Sequence, residues 1–240
     1  MAEQMIIPDR AISYILFQRT AYLRFPAAFC YRLLTRWLPF QTPLYNIVVA
    51  IESRLGVQRI KTFYTADMHR EYATIRPALP QTCGAVLDIG CGVAGIDVLI
   101  QRHYRDRQIH FYLLDKSHVE KHVFYLFQDQ GAFYNSLEVS GAMLTLNGVV
   151  PECVHLIEAN DRYQIPAGTP IDLALSLLSW GFHYPVATYV RQVHDLLSPH
   201  GVAILDVRKG TDGLDVLRRS FRQVDTILST EKFVRVAARK

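Results

Sequence analysis

The run Val86-Leu87-Asp88-Ile89-Gly90-Cys91-Gly92-Val93-Ala94-Gly95 constrains this chain more than any other segment. A β-branched and aliphatic stretch ends in a carboxylate, and glycines follow at the second, fourth and seventh positions after it. Gly90 permits a tight turn, Gly92 lets a ligand approach the backbone with no Cβ in the way, and Gly95 lets the next helix pack close to the strand. Open α/β sheets bind their ligands at the C-terminal ends of the strands, where such a loop must sit.

The remainder of the chain agrees with a sheet of this kind. After the loop Arg76–Gly84, punctuated by Pro77, Pro80 and Gly84, strands and helices alternate, which predicts a parallel sheet covered on both faces. Strands are expected near 85–89, 109–114, 153–157, 171–177 and 202–207, and helices near 94–104, 117–130, 135–146 and 186–198. The tail reads as two strands joined at Ser229-Thr230. Residues 1–80 form a separate helical region, broken by Pro26, Pro39 and Pro43, and residues 81–240 the ligand-binding domain.

The sequence LDIGCGVAG resembles motif I of class I S-adenosylmethionine-dependent methyltransferases. Nicotinamide enzymes use a similar glycine triplet, but without the preceding carboxylate, which would face a pyrophosphate. S-adenosylmethionine carries a sulfonium and an ammonium and no phosphate. The resemblance covers residues 84–240 and implies a Rossmann-like α/β sheet of seven strands, the last antiparallel, closed by the C-terminal hairpin. It implies that Asp88, Gly90, Gly92 and Gly95 form the cofactor loop, and that Asp115, at the end of the next strand, accepts both ribose hydroxyls. Asp115 has an alternative role as a helix N-cap. A polar group after the third strand, Asn160 or Asp161, would hold the adenine amino group. The strand Asp172–Leu177 would end at the methyl group and bring Ser176 to the cofactor.

The loop Ser179-Trp180-Gly181-Phe182-His183-Tyr184-Pro185 would then face the reactive end of the cofactor. His183 is either a general base or a half-buried histidine bonded to backbone. Tyr184 is the stronger candidate, because a phenol can stabilise a sulfonium or position an amine. The Asn-Pro-Pro-Tyr type of motif common among nitrogen methylases of nucleobases and proteins is absent. A weaker resemblance links the chain to azetidine-2-carboxylate synthases of the same fold, in which Asn147, Tyr184 and Thr211 would hold a folded methionine chain. Asn147, before Gly148, otherwise reads as a helix-terminal residue in left-handed conformation. The expected activity is methyl transfer to a small, natural-product-like acceptor; the alternative is cyclisation of S-adenosylmethionine to azetidine-2-carboxylate and methylthioadenosine.

Composition bears on partners and compartment. The net charge of +4 over 240 residues gives no reason to expect nucleic acid. From Arg10 to Ile51 there is no acidic residue, while five arginines and a run of aromatics that includes Phe17, Tyr22, Phe25, Phe29, Tyr31, Trp37 and Phe40 fall in the same region. That region reads as a lid over the site or as a helical layer on the sheet. No stretch is long and apolar enough to span a membrane. Cys30, Cys83, Cys91 and Cys153 lack paired spacing and read as buried thiols, so a cytoplasmic location is expected. His118 and His122 have metal-ligand spacing but no third ligand, and no metal is expected.

Overall fold

The computed structural model describes residues 5–23, 42–105, 107–117, 135–166 and 168–240, with the side chains of 42–46 excepted. The expected helix at 117–130 and the aromatics Phe25, Phe29, Tyr31, Trp37 and Phe40 lie outside them.

Seven strands form one sheet: β1 (Ala85–Ile89), β2 (His110–Asp115), β3 (Val154–Glu158), β4 (Ile171–Ser176), β5 (Leu197–Arg208), β6 (Gln223–Ser229) and β7 (Phe233–Arg239). Their spatial order is β3-β2-β1-β4-β5-β7-β6. The first five are parallel, and β7 runs antiparallel between β5 and β6. Every residue of β1 is buried, as a central parallel strand requires.

Helices α1 (Ala11–Gln18), α2 (Thr42–Leu55) and α3 (Val57–Ile75) precede the sheet. They are followed by α4 (Gly95–His103), α5 (Leu137–Leu146), α6 (Val190–Leu196) and α7 (Gly213–Ser220). Alternation along the strands divides the core into two layers. Val86, Leu173 and Ile204 face a cluster containing Ile12, Ile15, Ile60 and Ile75 of the N-terminal helices with Val98 of α4 and Met143 of α5. Leu87, Ala174 and Leu205 face Val190 and Val193 of α6 and Leu217 of α7. The described part of the first 80 residues therefore shares its apolar core with the sheet.

Three features depart from the expected elements. Strand β5 begins at Leu197, five residues before its expected start, because a register shift between Ile171 and Leu173 lets Leu197 pair with Ile171 despite Pro199 and Gly201. Helix α7 lies between β5 and the terminal hairpin, where no helix was expected; Asp215 in its first turn and Arg218 and Arg219 in its last match the helix dipole. Asn147 is not left-handed (φ −103°); Gly148 takes that conformation (φ +96°). Cys83, Cys91 and Cys153 are buried free thiols, and burial pushes the Cys83 thiol up to about 12.

Candidate active site at the strand ends

A cavity opens at the C-terminal ends of β1 to β4, where crossovers leave strands in opposite directions from β1. Ile89, Leu114 and Ala159 give it apolar walls, and Asp115, Lys116, Asn160 and Asp161 line one polar edge. Tyr163, Ser179, Tyr184 and Tyr189 complete it.

The glycine loop is shaped for this place. Gly90 has φ +78°, and a Cβ there would lie 2.0 Å from Ser179 Oγ. Only a residue without a side chain lets the β4 loop cross β1 this closely. Its amide donates to Leu114 O at 2.7 Å, tying the loop to the end of β2. Gly92 (φ +53°) donates to Asp115 Oδ2 at 2.9 Å, and its carbonyl accepts from Ser140 Oγ at 2.6 Å. The space above Gly92 is held by the Gln18 side chain of α1, whose Oε1 would lie 2.9 Å from an added Cβ. Gly95 serves a different contact from the expected one: the Tyr64 ring of α3, not the strand, fills the space beside it.

Three carboxylates surround this loop. Asp115 accepts from Gly92 and Asn135 on Oδ2 and from the Lys116 amide on Oδ1. Burial still pushes it up to about 6. Asp88 does not line the cavity. It is buried against Asp97 of α4, and burial together with the Asp97 charge raises it well above the ordinary carboxylate range. Neither Asp97 oxygen has a hydrogen-bond partner among the described residues, and burial pushes Asp97 up to about 7, so the two adjacent acids hold at least one proton between them at neutral pH.

The loop after β4 is folded tightly. Ser179 O accepts amide hydrogens from Phe182, His183 and Tyr184, at 3.1, 2.8 and 3.3 Å. Leu178 takes a left-handed backbone (φ +59°) and donates its N–H to Asp206 Oδ2 at 3.2 Å. Asp206 is itself held by Arg235 through Nε (2.7 Å) and Nη2 (2.8 Å), and Arg235 reaches Glu71 and Thr74 of α3 at 2.6 Å each. Trp180 points away from the cavity into the core, its Nε1 donating to Val186 O at 2.9 Å.

Of the residues singled out from the sequence, Asp115, Asn160, Asp161 and Tyr184 line the cavity. His183 does not; it packs edge-on to Phe182, and burial and Arg208 lower its pKa. Ser176 is fully buried and bridges the strand ends, donating to Ile89 O at 2.7 Å and accepting from Trp180 N at 2.8 Å. Thr211 caps its own turn by donating to Arg208 O. Asn147 lies at the far end of α5, a ten-residue helix about 15 Å long. There it clasps the N-terminal segment, accepting from Ile6 N at 2.9 Å and donating to Ile6 O at 2.7 Å. The constellation Asn147, Tyr184 and Thr211 is thus not assembled. Ser179 was anticipated only as part of its loop, and Tyr163 and Tyr189 not at all; these two rings meet edge to face at 5.9 Å.

The dinucleotide-binding sheet has the order 3-2-1-4-5-6 with its strands parallel. Here an antiparallel strand is inserted between the fifth and sixth positions, and an acid precedes the glycine turn. This is the class I methyltransferase fold. No protein-family model and no curated protein matches the sequence. Solved structures resemble it. One is precorrin-8w decarboxylase of Methanobacterium thermoautotrophicum (TM-score 0.47, 14% identity, 72% of this chain and 89% of that one). A second is precorrin-6y C5,15-methyltransferase of Geobacter metallireducens (0.47, 16%, 70% and 86%). A third is an O-methyltransferase family protein of Burkholderia thailandensis (0.48, 11%, 79% and 62%). With identities and scores this low, the fold rests on the strand order and the glycine turn of this chain itself.

Proposed function

We propose that the chain binds S-adenosylmethionine at the ends of β1 to β4 and catalyses transfer of its methyl group to a small acceptor. The observation that carries the reading is the acidic setting of the glycine loop. Asp115, ionised above about pH 6, stands at a turn that a phosphate-bearing cofactor would need free of negative charge, with the buried Asp88 and Asp97 behind it, and its field favours a cation. Asp115 Oδ2 is committed to the loop, so a lone pair on Oδ1 is left for one ribose hydroxyl, where the sequence suggested both. Asn160 Oδ1 accepts from Arg162 N and Gln164 N. Its oxygen is therefore engaged, and Asp161 is the better acceptor for an adenine amino group, with Tyr163 and Tyr189 as the aromatic wall.

The cofactor supplies an activated methyl group on sulfur. The protein supplies positioning and exclusion of water. Tyr184 and Ser179 stand where β4 ends, opposite the Gly90 turn, so they border the space between methyl group and acceptor. Gln18 covers Gly92, which fits a closing role for the described part of the N-terminal region.

Incubation of the purified protein with S-adenosylmethionine, with and without candidate acceptors, tests this by mass spectrometry of the nucleoside product. S-adenosylhomocysteine formed only with an acceptor is the expected result. Methylthioadenosine formed without one would overturn methyl transfer in favour of cyclisation. Tyr184→Phe should lower single-turnover methylation roughly ten- to a hundredfold, the loss of one positioned hydrogen bond, while cofactor affinity stays within twofold.

A further inference from the structure

The β4 loop turns on a residue whose backbone is strained. Leu178 is left-handed (φ +59°), a conformation unfavourable to any residue with a Cβ and kept only where the surroundings enforce it. The turn shapes the cavity. It sends the chain from β4 back across β1, so that Ser179 lies against Gly90 and its carbonyl gathers the amides of Phe182, His183 and Tyr184. Ser179 and Tyr184 both line the cavity.

The enforcing contacts come from β5. The Leu178 amide donates to Asp206 Oδ2 at 3.2 Å. Three residues on, Gly181 (φ +90°) fits against the same residue, where a Cβ would lie 2.7 Å from Asp206 O, and its carbonyl accepts from Arg208 N at 2.9 Å. Asp206 and Arg235 are directly opposed in the antiparallel pairing of β5 with β7, so their side chains share one face of the sheet. The guanidinium fork, Nε to Oδ1 and Nη2 to Oδ2, fixes the plane of the carboxylate and aims Oδ2 at Leu178.

Stability alone does not account for this arrangement. Apolar side chains of similar volume often replace a buried ion pair with no loss of stability. What an apolar pair lacks is an acceptor for the Leu178 amide.

We propose that Asp206 is a positioning residue for the cavity at the strand ends. Its carboxylate, oriented by Arg235, holds Leu178 in the turn that brings Ser179 and Tyr184 to the ligand. The consequence for the cofactor rests on the S-adenosylmethionine reading above; the hold on the loop does not.

Two double variants isolate the acceptor. Asp206→Leu/Arg235→Met makes the pair apolar and leaves the Leu178 amide unanswered. Asp206→Asn/Arg235→Met differs from it only in keeping a side-chain oxygen at residue 206. Hydrogen exchange over residues 177–185, read by mass spectrometry, and calorimetry with S-adenosylmethionine compare them with the wild type. The leucine variant should exchange roughly tenfold faster in this loop and bind the cofactor roughly tenfold more weakly, the effect of one buried amide left without its partner. The asparagine variant should return both values towards the wild type. Equal behaviour of the two variants overturns the proposal, because the ion pair and not the acceptor would then matter. In the wild type itself, the Leu178 amide should be among the slowest of the loop to exchange by NMR, and fast exchange there overturns the proposal with no substitution made. A wild type that shows the slow amide but binds no S-adenosylmethionine overturns the cofactor reading, and with it the functional half of the proposal.

Discussion

Buried carboxylates occur in both halves of the sheet, and the two halves treat them in opposite ways. At the antiparallel edge, Asp206 of β5 and Arg235 of β7 are both fully buried, and two hydrogen bonds join them. Glu71 and Thr74 of α3 accept from Arg235 Nη1. In the parallel half, Asp88 and Asp97 are as deeply buried, and neither meets a cationic side chain among the described residues. Charge that is matched inside the protein fastens the N-terminal helices and the β4 loop to the sheet. Beside the glycine loop the buried pair avoids unmatched charge by keeping a proton, and Asp115 is the nearby carboxylate that ionises below neutral pH.

Substitutions should separate the two halves by what they damage. Arg235→Met is expected to have the largest effect, a loss of about 3–5 kcal/mol in denaturant unfolding, because Asp206 would remain buried without its cation. A loss below about 1 kcal/mol would erase the distinction drawn above. Gly90→Val should come next and act on binding. A Cβ 2.0 Å from Ser179 Oγ, at φ +78°, must displace the β4 loop, and calorimetry should detect no S-adenosylmethionine binding in a protein that still folds. Gly92→Val should be milder, since its added Cβ meets only the movable end of Gln18.

Asp115→Ala should weaken S-adenosylmethionine binding by about 1.5–3 kcal/mol, the worth of a hydrogen bond to a charged acceptor. The pH dependence has a definite sign. The ribose hydroxyl donates to the carboxylate, so affinity should fall as pH drops through about 6, the value to which burial pushes Asp115. The stability contributed by this group moves the other way. A carboxyl with a raised folded pKa stabilises fully below its unfolded value of about 3.9 and loses that contribution as pH rises through 6. Binding and melting curves at pH 5 and 7.5 would expose a disagreement. The smallest effect is expected for Asp97→Asn. Removing one of two coupled acids should leave the apo protein more stable by on the order of 1 kcal/mol at pH 8, since the raised Asp88 is then relieved of its like charge. A destabilised variant would mean that the shared proton contributes to the fold.

Much of this fold was legible because parallel strands leave continuous aliphatic runs. Ala85–Ile89, His110–Asp115 and Val154–Glu158 lie within a residue or so of where hydrophobic patterning places them. The hairpin at Ser229-Thr230 was legible too, but the placement of its second strand, β7, between β5 and β6 follows from the resemblance and not from the pattern. Contacts between distant segments left no local trace. Tyr64 fits beside Gly95, Gln18 over Gly92 and Ser179 against Gly90 only after the chain has folded. Tyr189 read as an ordinary residue of a helix, although a short 3-10 turn at Val186–Thr188 places it at the cavity. Asn147 misled for a related reason. A polar residue beside a glycine carries the same sequence signature whether it faces a ligand or, as here, clasps a returning segment of backbone.

The position of Gln18 has a kinetic consequence. It is the last residue of α1, and that helix is fixed by Ile12, Ile15 and Leu16, all fully buried. Uncovering Gly92 therefore requires a turn about side-chain bonds, with the helix staying in place. Exposed rotamers exchange in picoseconds to nanoseconds, whereas hinged domains open in microseconds to milliseconds. The barrier to uncovering Gly92 is then set by the bonds that hold one side chain and not by the opening of a hinge.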